Sequence, residues 1–226
     1  MPGPKDEKPA IALKAVMAVS GLILFGFVLF HMIGNLKLYL GPAELNDYAH
    51  FLRTVGTPLL PETVLLWLAR SVLILAVVLH IGSAWILTLR ARRARPTAYA
   101  APNRIHARYA SRTMRWGGVI IALFVLYHLL HFTWGTLHPD FVPGDVYHNV
   151  VSGFRVWWVA LIYIVAQLAL GLHLDHGIWS LCQSLGIQHP RYNVWRDRLA
   201  HAFAVIVTLG NISFPIAVLS GWVGGS

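Results

Sequence analysis

The sequence predicts an all-α integral membrane protein: one domain of 226 residues that forms a bundle of five transmembrane helices. Hydrophobic residues make up 57% of the chain and charged residues only 12%, whereas a soluble domain carries about twice as much charge. Five apolar segments reach the roughly 20 residues that a helix needs to cross a hydrocarbon core of about 30 Å. Strands are excluded because an open sheet would leave backbone groups unpaired in lipid.

The predicted spans cover residues 14–36, 62–90, 115–137, 154–182 and 198–220. Lysines precede the first apolar run, as in a signal peptide, but the run is long and no small-residue cleavage site follows it. We therefore expect a retained first helix. The outer loop "PAELNDYAHFLRTV" combines helix-start residues with an apolar stripe and predicts a short interfacial helix. The basic loop after the second span contains Pro96 and Pro102 and is expected to be irregular.

The distribution of lysine and arginine predicts the orientation of the bundle. Fourteen of the 18 basic residues lie in the N-terminal tail, in the loop after the second span and in the loop before the fifth. Eight arginines fall between Arg90 and Arg115 with no acidic residue among them. The positive-inside bias places these segments in the cytoplasm, so we expect a cytoplasmic N-terminus and an outside C-terminus. The net charge of +9 then reflects membrane topology, and no nucleic-acid partner is expected.

Histidines recur inside the first four spans, where ionisable side chains are costly and tend to mark function. They are His31, His80, His128 with His131, and His173 with His176. At about 1.5 Å per residue, His31 and His128 lie roughly 25 and 20 Å from the inner edge, and His80 and His173 roughly 15 Å. Paired imidazoles on facing helices are what two bis-histidine b-type haems require. A zinc site is less favoured, because its four ligands would have to converge on one point.

Two arginines and the single cysteine bear on which cofactor the chain can hold. Arg70 is a charge inside the second span near the expected level of the outer haem, and Arg115 lies at the inner boundary of the third span. Both are candidate partners for haem propionates, although Arg115 can equally be a boundary residue that snorkels to the interface. Cys182 is the single cysteine, so the chain alone cannot hold a cysteine-ligated iron–sulfur cluster.

Five motifs together resemble the cytochrome b membrane anchor of succinate dehydrogenase/fumarate reductase (complex II), in its single-chain, five-helix, di-haem form. The motifs span most of the chain, and the pattern H-x-x-x-G-[IL]-W-S in the fourth span is the most specific. They read "HMIGN", "AELNDYAHFL", "LHIGSAWIL", "FVLYH" and "LHLDHGIWSLCQSLGI".

The resemblance implies four axial haem ligands. The outer haem would lie between His31 and His128, and the inner haem between His80 and His173. Arg115 lies where the family has an arginine thirteen residues before its third-span histidine. His131 and His176 each follow a predicted ligand by one helical turn, so they remain alternatives to His128 and His173.

The same resemblance implies a role in succinate:quinone oxidoreduction, in either direction. The chain would anchor a flavoprotein and an iron–sulfur subunit, which carry the FAD and the clusters, on the cytoplasmic face of the inner cell membrane. It would relay electrons through the haems to or from quinone among the membrane lipids. The sequence does not indicate on which side of the membrane quinone binds. The candidate residues are Ser111, Arg112, Asp175 and His176 on the inside, and His50, Arg70 and His138 on the outside.

Two other functions are compatible with the sequence. One is a haem-free anchor of the same complex, in which the histidines only bind neighbouring helices. The other is a helical proton transporter lined by histidines. Transporters usually show broken helices and repeat symmetry, and neither is evident in the sequence.

Overall fold

A computed structural model describes residues 10–94, 105–187 and 189–225, with the backbone alone for residues 105–113 and 190. The elements of the first half are α1 (Ala10–Asn35), a short 3-10 helix (Leu36–Leu40), α2 (Pro42–Thr54) and α3 (Val64–Arg93). The second half contains α4 (Ile105–His128), a π-helical turn (Leu129–Thr133), α5 (Val146–Arg155), α6 (Trp157–Ser184) and α7 (Pro190–Leu219).

Five helical stretches in these described ranges are long and apolar enough to cross a membrane, and no strand occurs among them. They are Ala10–Leu40, Val64–Arg93, Met114–Thr133, Trp157–Ser184 and Arg191–Leu219. The predicted fold class is therefore confirmed: the chain is a multi-pass integral membrane protein with five spans. The interfacial helix predicted in the first outer loop is also present, as α2.

The bounds of all five spans differ from the prediction by a few residues, and the fifth differs most, since it begins at Arg191 rather than at residue 198. Two of the differences have a local cause. The third span ends at Thr133 rather than at residue 137, because the chain turns at Gly135, whose φ of 73° favours glycine. The fourth span begins at Trp157 rather than at residue 154, because Val156 is extended and separates α5 from α6.

The loop predicted to be irregular is partly helical. Helix α4 already begins at Ile105, nine residues before the membrane stretch that starts at Met114. Pro96 and Pro102, on which that prediction rested, lie outside the described residues. The helical part of this loop is continuous with the third span, so the basic sequence extends the helix beyond the apolar core.

The spans are arranged as two packed helix pairs with a fifth helix behind them. Helix α1 packs along α3, and α4 packs along α6; the two pairs meet where α1 touches α6. Helix α7 packs on the other side of α6 and also touches α1. We call the space between the α1–α3 pair and the α4–α6 pair the central cleft. Helix α3 buries only Ala76 and Ser83, so most of its side chains lie at the surface of the bundle.

The end of the bundle that we predict to face outward is closed by α2 and α5, which are joined by hydrogen bonds; we call it the outer end. The amide nitrogen of Asn46 donates to Asp145 (2.9 Å), and its oxygen accepts from the backbone N–H of Tyr147 (3.0 Å). Asp145 also caps α5 by accepting from the backbone N–H of His148 (2.9 Å). Hydrogen bonds from His148 and Asn46 hold the pKa of Asp145 below its ordinary value. Ionised Asp145 therefore stabilises the folded chain. This stabilisation is complete at a pH above the ordinary carboxyl pKa, and it is lost as the pH falls through the lowered pKa of Asp145.

Replacing Asn46 should loosen this outer end. Asn46→Ala removes both hydrogen bonds between α2 and α5 and should cost about 1–2 kcal/mol of local stability. Amide hydrogen exchange of the purified protein should therefore accelerate in α2 and α5. Asp47→Ala, at an exposed neighbouring position, is the matched control and should leave exchange unchanged. Equal exchange in Asn46→Ala and the parent protein would contradict this role.

Candidate functional site

Four histidines of the first four spans lie as two facing pairs across the central cleft. The ring centre of His31 on α1 is 5.8 Å from that of His128 on α4, with an angle of 88° between the ring planes. The ring centre of His80 on α3 is 6.2 Å from that of His173 on α6, with an angle of 68°. Each pair thus connects one helix of the α1–α3 pair to one helix of the α4–α6 pair.

The two pairs lie at different depths. His80 lies beside Gly21 of α1, where an added Cβ would be 3.2 Å from His80 Cε1. His173 lies beside Gly118 of α4, where an added Cβ would be 3.8 Å from His173 Cε1. His31 and His128 each follow these glycines by ten residues, which is about 15 Å along a helix. We call His80 and His173 the inner pair and His31 and His128 the outer pair.

The separation within each pair suits a metal ion held between two imidazoles. Two nitrogens that each bind one ion at about 2 Å place the ring centres roughly 6 Å apart, because each centre lies roughly 1 Å behind its nitrogen. No group of three or more His, Cys, Asp or Glu that could hold a metal ion occurs in the part of the chain that the structure describes. Each pair therefore offers two ligands, and a cofactor would have to supply the remaining coordination positions.

The two rings of the inner pair differ in the hydrogen bonds of their Nδ1 atoms. Nδ1 of His80 is 3.2 Å from the carbonyl oxygen of Met17; since that oxygen can only accept, the proton lies on Nδ1 and Nε2 is left with a lone pair. Nδ1 of His173 is buried and has no hydrogen-bond partner. Burying such a nitrogen without a partner costs about 1–3 kcal/mol.

The outer pair is only partly covered by the rest of the chain. His31 is exposed and His128 is half-buried, and their rings meet edge to face. The ring of Phe27, one turn earlier, stacks on His31 at 5.3 Å and covers part of its surface.

A second group of polar rings lies beside the outer pair. The hydroxyl oxygen of Tyr163 on α6 is 3.1 Å from Nδ1 of His131 and 3.4 Å from Nδ1 of His128. His131 is only 1% exposed and stacks on His138 at 4.7 Å. His138 is also buried; its Nε2 lies 2.9 Å from the carbonyl oxygen of Asn149. We call Tyr163, His131 and His138 the Tyr163 cluster.

Sequence reasoning missed Tyr163. The available signal was a hydroxyl inside the aliphatic first half of the fourth span, in "LIYIVAQL". A tyrosine at that depth needs a partner for its hydroxyl, but its two partners lie 32 and 35 residues earlier in the chain. The local sequence does not indicate which residues these are.

The two alternative ligands occupy different surroundings from the residues they would replace. His131 belongs to the Tyr163 cluster and is covered by Tyr127, which stacks on it at 5.4 Å. His176 is half-buried one turn beyond His173. The rings that face each other across the cleft are those of His128 and His173.

The two candidate propionate partners lie at the ends of the cleft. The guanidinium of Arg70 is half-buried on α3 and stands 4.9 Å from the centre of the Trp67 ring. Arg70 precedes His80 by ten residues, about 15 Å on the outer side, and so lies near the level of the outer pair. Arg115 is exposed on α4, one turn on the inner side of Gly118.

The candidate quinone residues whose side chains are described make separate contacts. Asp175 lies 3.6 Å from the ring of His201 on α7, and His138 belongs to the Tyr163 cluster. His50 is exposed on α2. The side chains of Ser111 and Arg112 lie outside the described residues.

Comparisons with known proteins identify one family. The family model described as "Succinate dehydrogenase/Fumarate reductase transmembrane subunit" matches residues 90–212, which is more than half of the chain. The match includes His128, His173 and Tyr163, whereas His31 and His80 precede it. No curated protein and no solved structure matches the chain.

The close packing of α5 on the Tyr163 cluster can be tested at Gly153. An added Cβ there would lie 2.9 Å from Phe132 Cε1, 3.0 Å from His131 Cε1 and 3.1 Å from His138 Nε2. Because all three are rings, Gly153→Ala should lower the free energy of unfolding by about 1–3 kcal/mol, measured as a lower melting temperature. Gly82→Ala, with nothing within 4 Å of the added Cβ, is the matched control. Similar melting temperatures for the two variants would contradict the close approach.

Proposed function

Because this chain belongs to the family of succinate dehydrogenase/fumarate reductase transmembrane subunits, we propose that it anchors such a complex and relays electrons through two b-type haems. The haems would be held by His31 with His128 and by His80 with His173. Electrons would pass between the iron–sulfur subunit on the cytoplasmic side and quinone in the membrane. The proposed location is the inner cell membrane.

The observation that carries this proposal is the pair of histidine rings facing each other at each of two depths. Two imidazoles on opposite walls of a cleft suit the two faces of a planar macrocycle, since each face of the iron takes one nitrogen. Ring separations of 5.8 and 6.2 Å match a metal ion between them. Gly21 and Gly118 lie beside the inner pair, and because they lack side chains they leave room next to these rings.

The histidines must be neutral, with a free nitrogen directed at the iron. His80 meets this requirement through its Nδ1–H hydrogen bond to Met17, which orients the ring and makes Nε2 the donor atom. When bound, haem supplies an iron that takes up and releases one electron at a time.

The geometry favours His128 over His131 as the outer ligand from α4. His128 faces His31 across the cleft, whereas His131 is buried against His138 and bonded to Tyr163. In the same way, His173 faces His80. Arg70 and Arg115 are proposed to neutralise propionates at the outer and inner levels respectively, in keeping with their positions along α3 and α4.

The inner end of the bundle is the proposed docking surface for the flavoprotein and the iron–sulfur subunit. The last turn of α3 carries Arg90, Arg92 and Arg93, and the first turns of α7 carry Arg191, Arg196 and Arg198. These positive charges would attract acidic partner surfaces and speed the encounter. Succinate chemistry itself would remain with the flavin of the partner.

Haem content tests the proposal directly. The purified chain should show the sharp reduced α-band of bis-histidine haem b and contain two haems. His173→Ala should halve the haem content, because it removes one ligand of the inner pair only. His176→Ala, one turn further along the same helix, is the matched control and should keep both haems.

Two outcomes would count against the proposal. A parent protein without haem would leave only a haem-free anchor. Loss of haem in His176→Ala but not in His173→Ala would show that the inner ligand on α6 is His176 rather than His173.

Docking can be tested by recovery of the partner subunits. Arg191→Glu reverses an exposed charge at the inner end of α7 and should reduce the flavin and non-haem iron that co-purify with the tagged chain, with the largest difference from the parent protein at low salt, where charges are least screened. Arg53→Glu, also exposed but on α2 at the outer end, should leave recovery unchanged. Equal losses for both variants would contradict an inner docking surface.

A further inference from the structure

The geometry points to Tyr163 as a positioning residue for the outer haem: its hydroxyl orients His128 and is itself held by His131. This inference rests on the proposed function, because it concerns a ligand of one of the two proposed haems. It concerns the outer haem alone, since Tyr163 contacts His128 and has no contact with the inner pair among its hydrogen bonds and ring contacts.

Tyr163 is fixed in place by its own surroundings. Its ring is buried and lies edge-on to Phe124 and Phe154, each at 4.9 Å. The hydroxyl therefore reaches the rings of α4 from a rigid position on α6. Its two contacts are the nitrogens Nδ1 of His131 and Nδ1 of His128, at 3.1 and 3.4 Å. The longer contact is at the upper end of hydrogen-bonding distance.

One arrangement of protons lets His128 bind iron, makes both contacts hydrogen bonds and also gives the Tyr163 hydroxyl proton an acceptor. To bind through Nε2, the neutral ring of His128 must carry its proton on Nδ1, and this N–H then donates to the Tyr163 oxygen. The single hydroxyl proton of Tyr163 is left to donate to Nδ1 of His131. His131 therefore carries its own proton on Nε2. The hydroxyl is both acceptor and donor, and its direction is set by His131.

The ring of His131 is held in position by the rest of the cluster. It is almost fully buried and stacks on both Tyr127 and His138, so its ring cannot turn without displacing both. His138 is itself held through both of its nitrogens: Nε2–H donates to the carbonyl of Asn149, and Nδ1 accepts from the backbone N–H of Asp140. The cluster thus keeps Nδ1 of His131 against the Tyr163 hydroxyl.

The expected consequence is on the redox potential of the outer haem. A hydrogen bond from the distant N–H of a ligating histidine raises the basicity of the ring and orients it. A more basic ligand stabilises the ferric iron, so the Tyr163 hydroxyl should lower the midpoint potential of the outer haem. Without the hydroxyl, the potential should rise and the His128 ring should be less fixed about its bond to iron.

The test is Tyr163→Phe in the full chain purified from membranes, with Tyr127→Phe as the matched control. Both substitutions remove one phenol oxygen from the same group of rings, but the hydroxyl of Tyr127 is buried without a hydrogen-bond partner. Redox titration should show a higher midpoint potential for one haem in Tyr163→Phe and an unchanged potential for the other. The low-spin ferric electron paramagnetic resonance signal of the same haem should shift. Tyr127→Phe should match the parent protein in both measurements.

The outcomes separate this inference from the proposed function. Loss of the outer haem alone in Tyr163→Phe would also support a positioning role. Two haems with parental potentials and signals in Tyr163→Phe would overturn the inference and leave the proposed function intact. Equal shifts in both variants would overturn it as well, because they would reflect packing. A parent protein without haem would refute the proposed function and this inference together.

Discussion

The burial of imidazole rings inside an apolar bundle is the constraint on which the arrangement of these helices depends. A polar nitrogen that leaves water without gaining a partner destabilises the folded chain. His131 and His138 meet this constraint with protein partners, through Tyr163, Asn149 and ring stacking. The rings of the inner and outer pairs meet it only in part, and they are the rings that face the central cleft.

This division explains why one end of the molecule is closely packed and the cleft is not. The outer end combines the Tyr163 cluster, the contact between Asn46 and Asp145, and an apolar core that includes Phe154 and Phe214. These contacts fix the outer ends of α4, α6 and α7 without filling the space between the helix pairs. The proposed haems would add further contacts between the two helix pairs.

The sequence predicts the spans because the length of an apolar run is a local property. The interfacial helix α2 was predictable for the same reason, since its start residues and apolar stripe lie within one short segment. The separation of α5 from α6 was not, because it depends on the extended backbone of Val156, a residue that is ordinary in a helix. The π-helical turn at Leu129–Thr133 also has no simple sequence signal.

The depths and the pairing of the four histidines were predictable from the sequence, but their hydrogen-bond partners were not. Counting residues from the basic loops sorts His31 with His128 and His80 with His173, and the structure brings the same rings opposite each other; their role as iron ligands stays a prediction. Tyr163 could not be found in this way, because hydrogen bonds between α6 and α4 depend on how two helices are rotated against each other. The same reason left His131 as an alternative to His128.

The most direct measurement of the central claim is an electron cryomicroscopy map of the protein purified from its membrane. The account predicts planar density between His31 and His128 and a second plane between His80 and His173, each connected to both imidazoles. A map in which these rings pack against each other or against lipid, with no density between them, would contradict it.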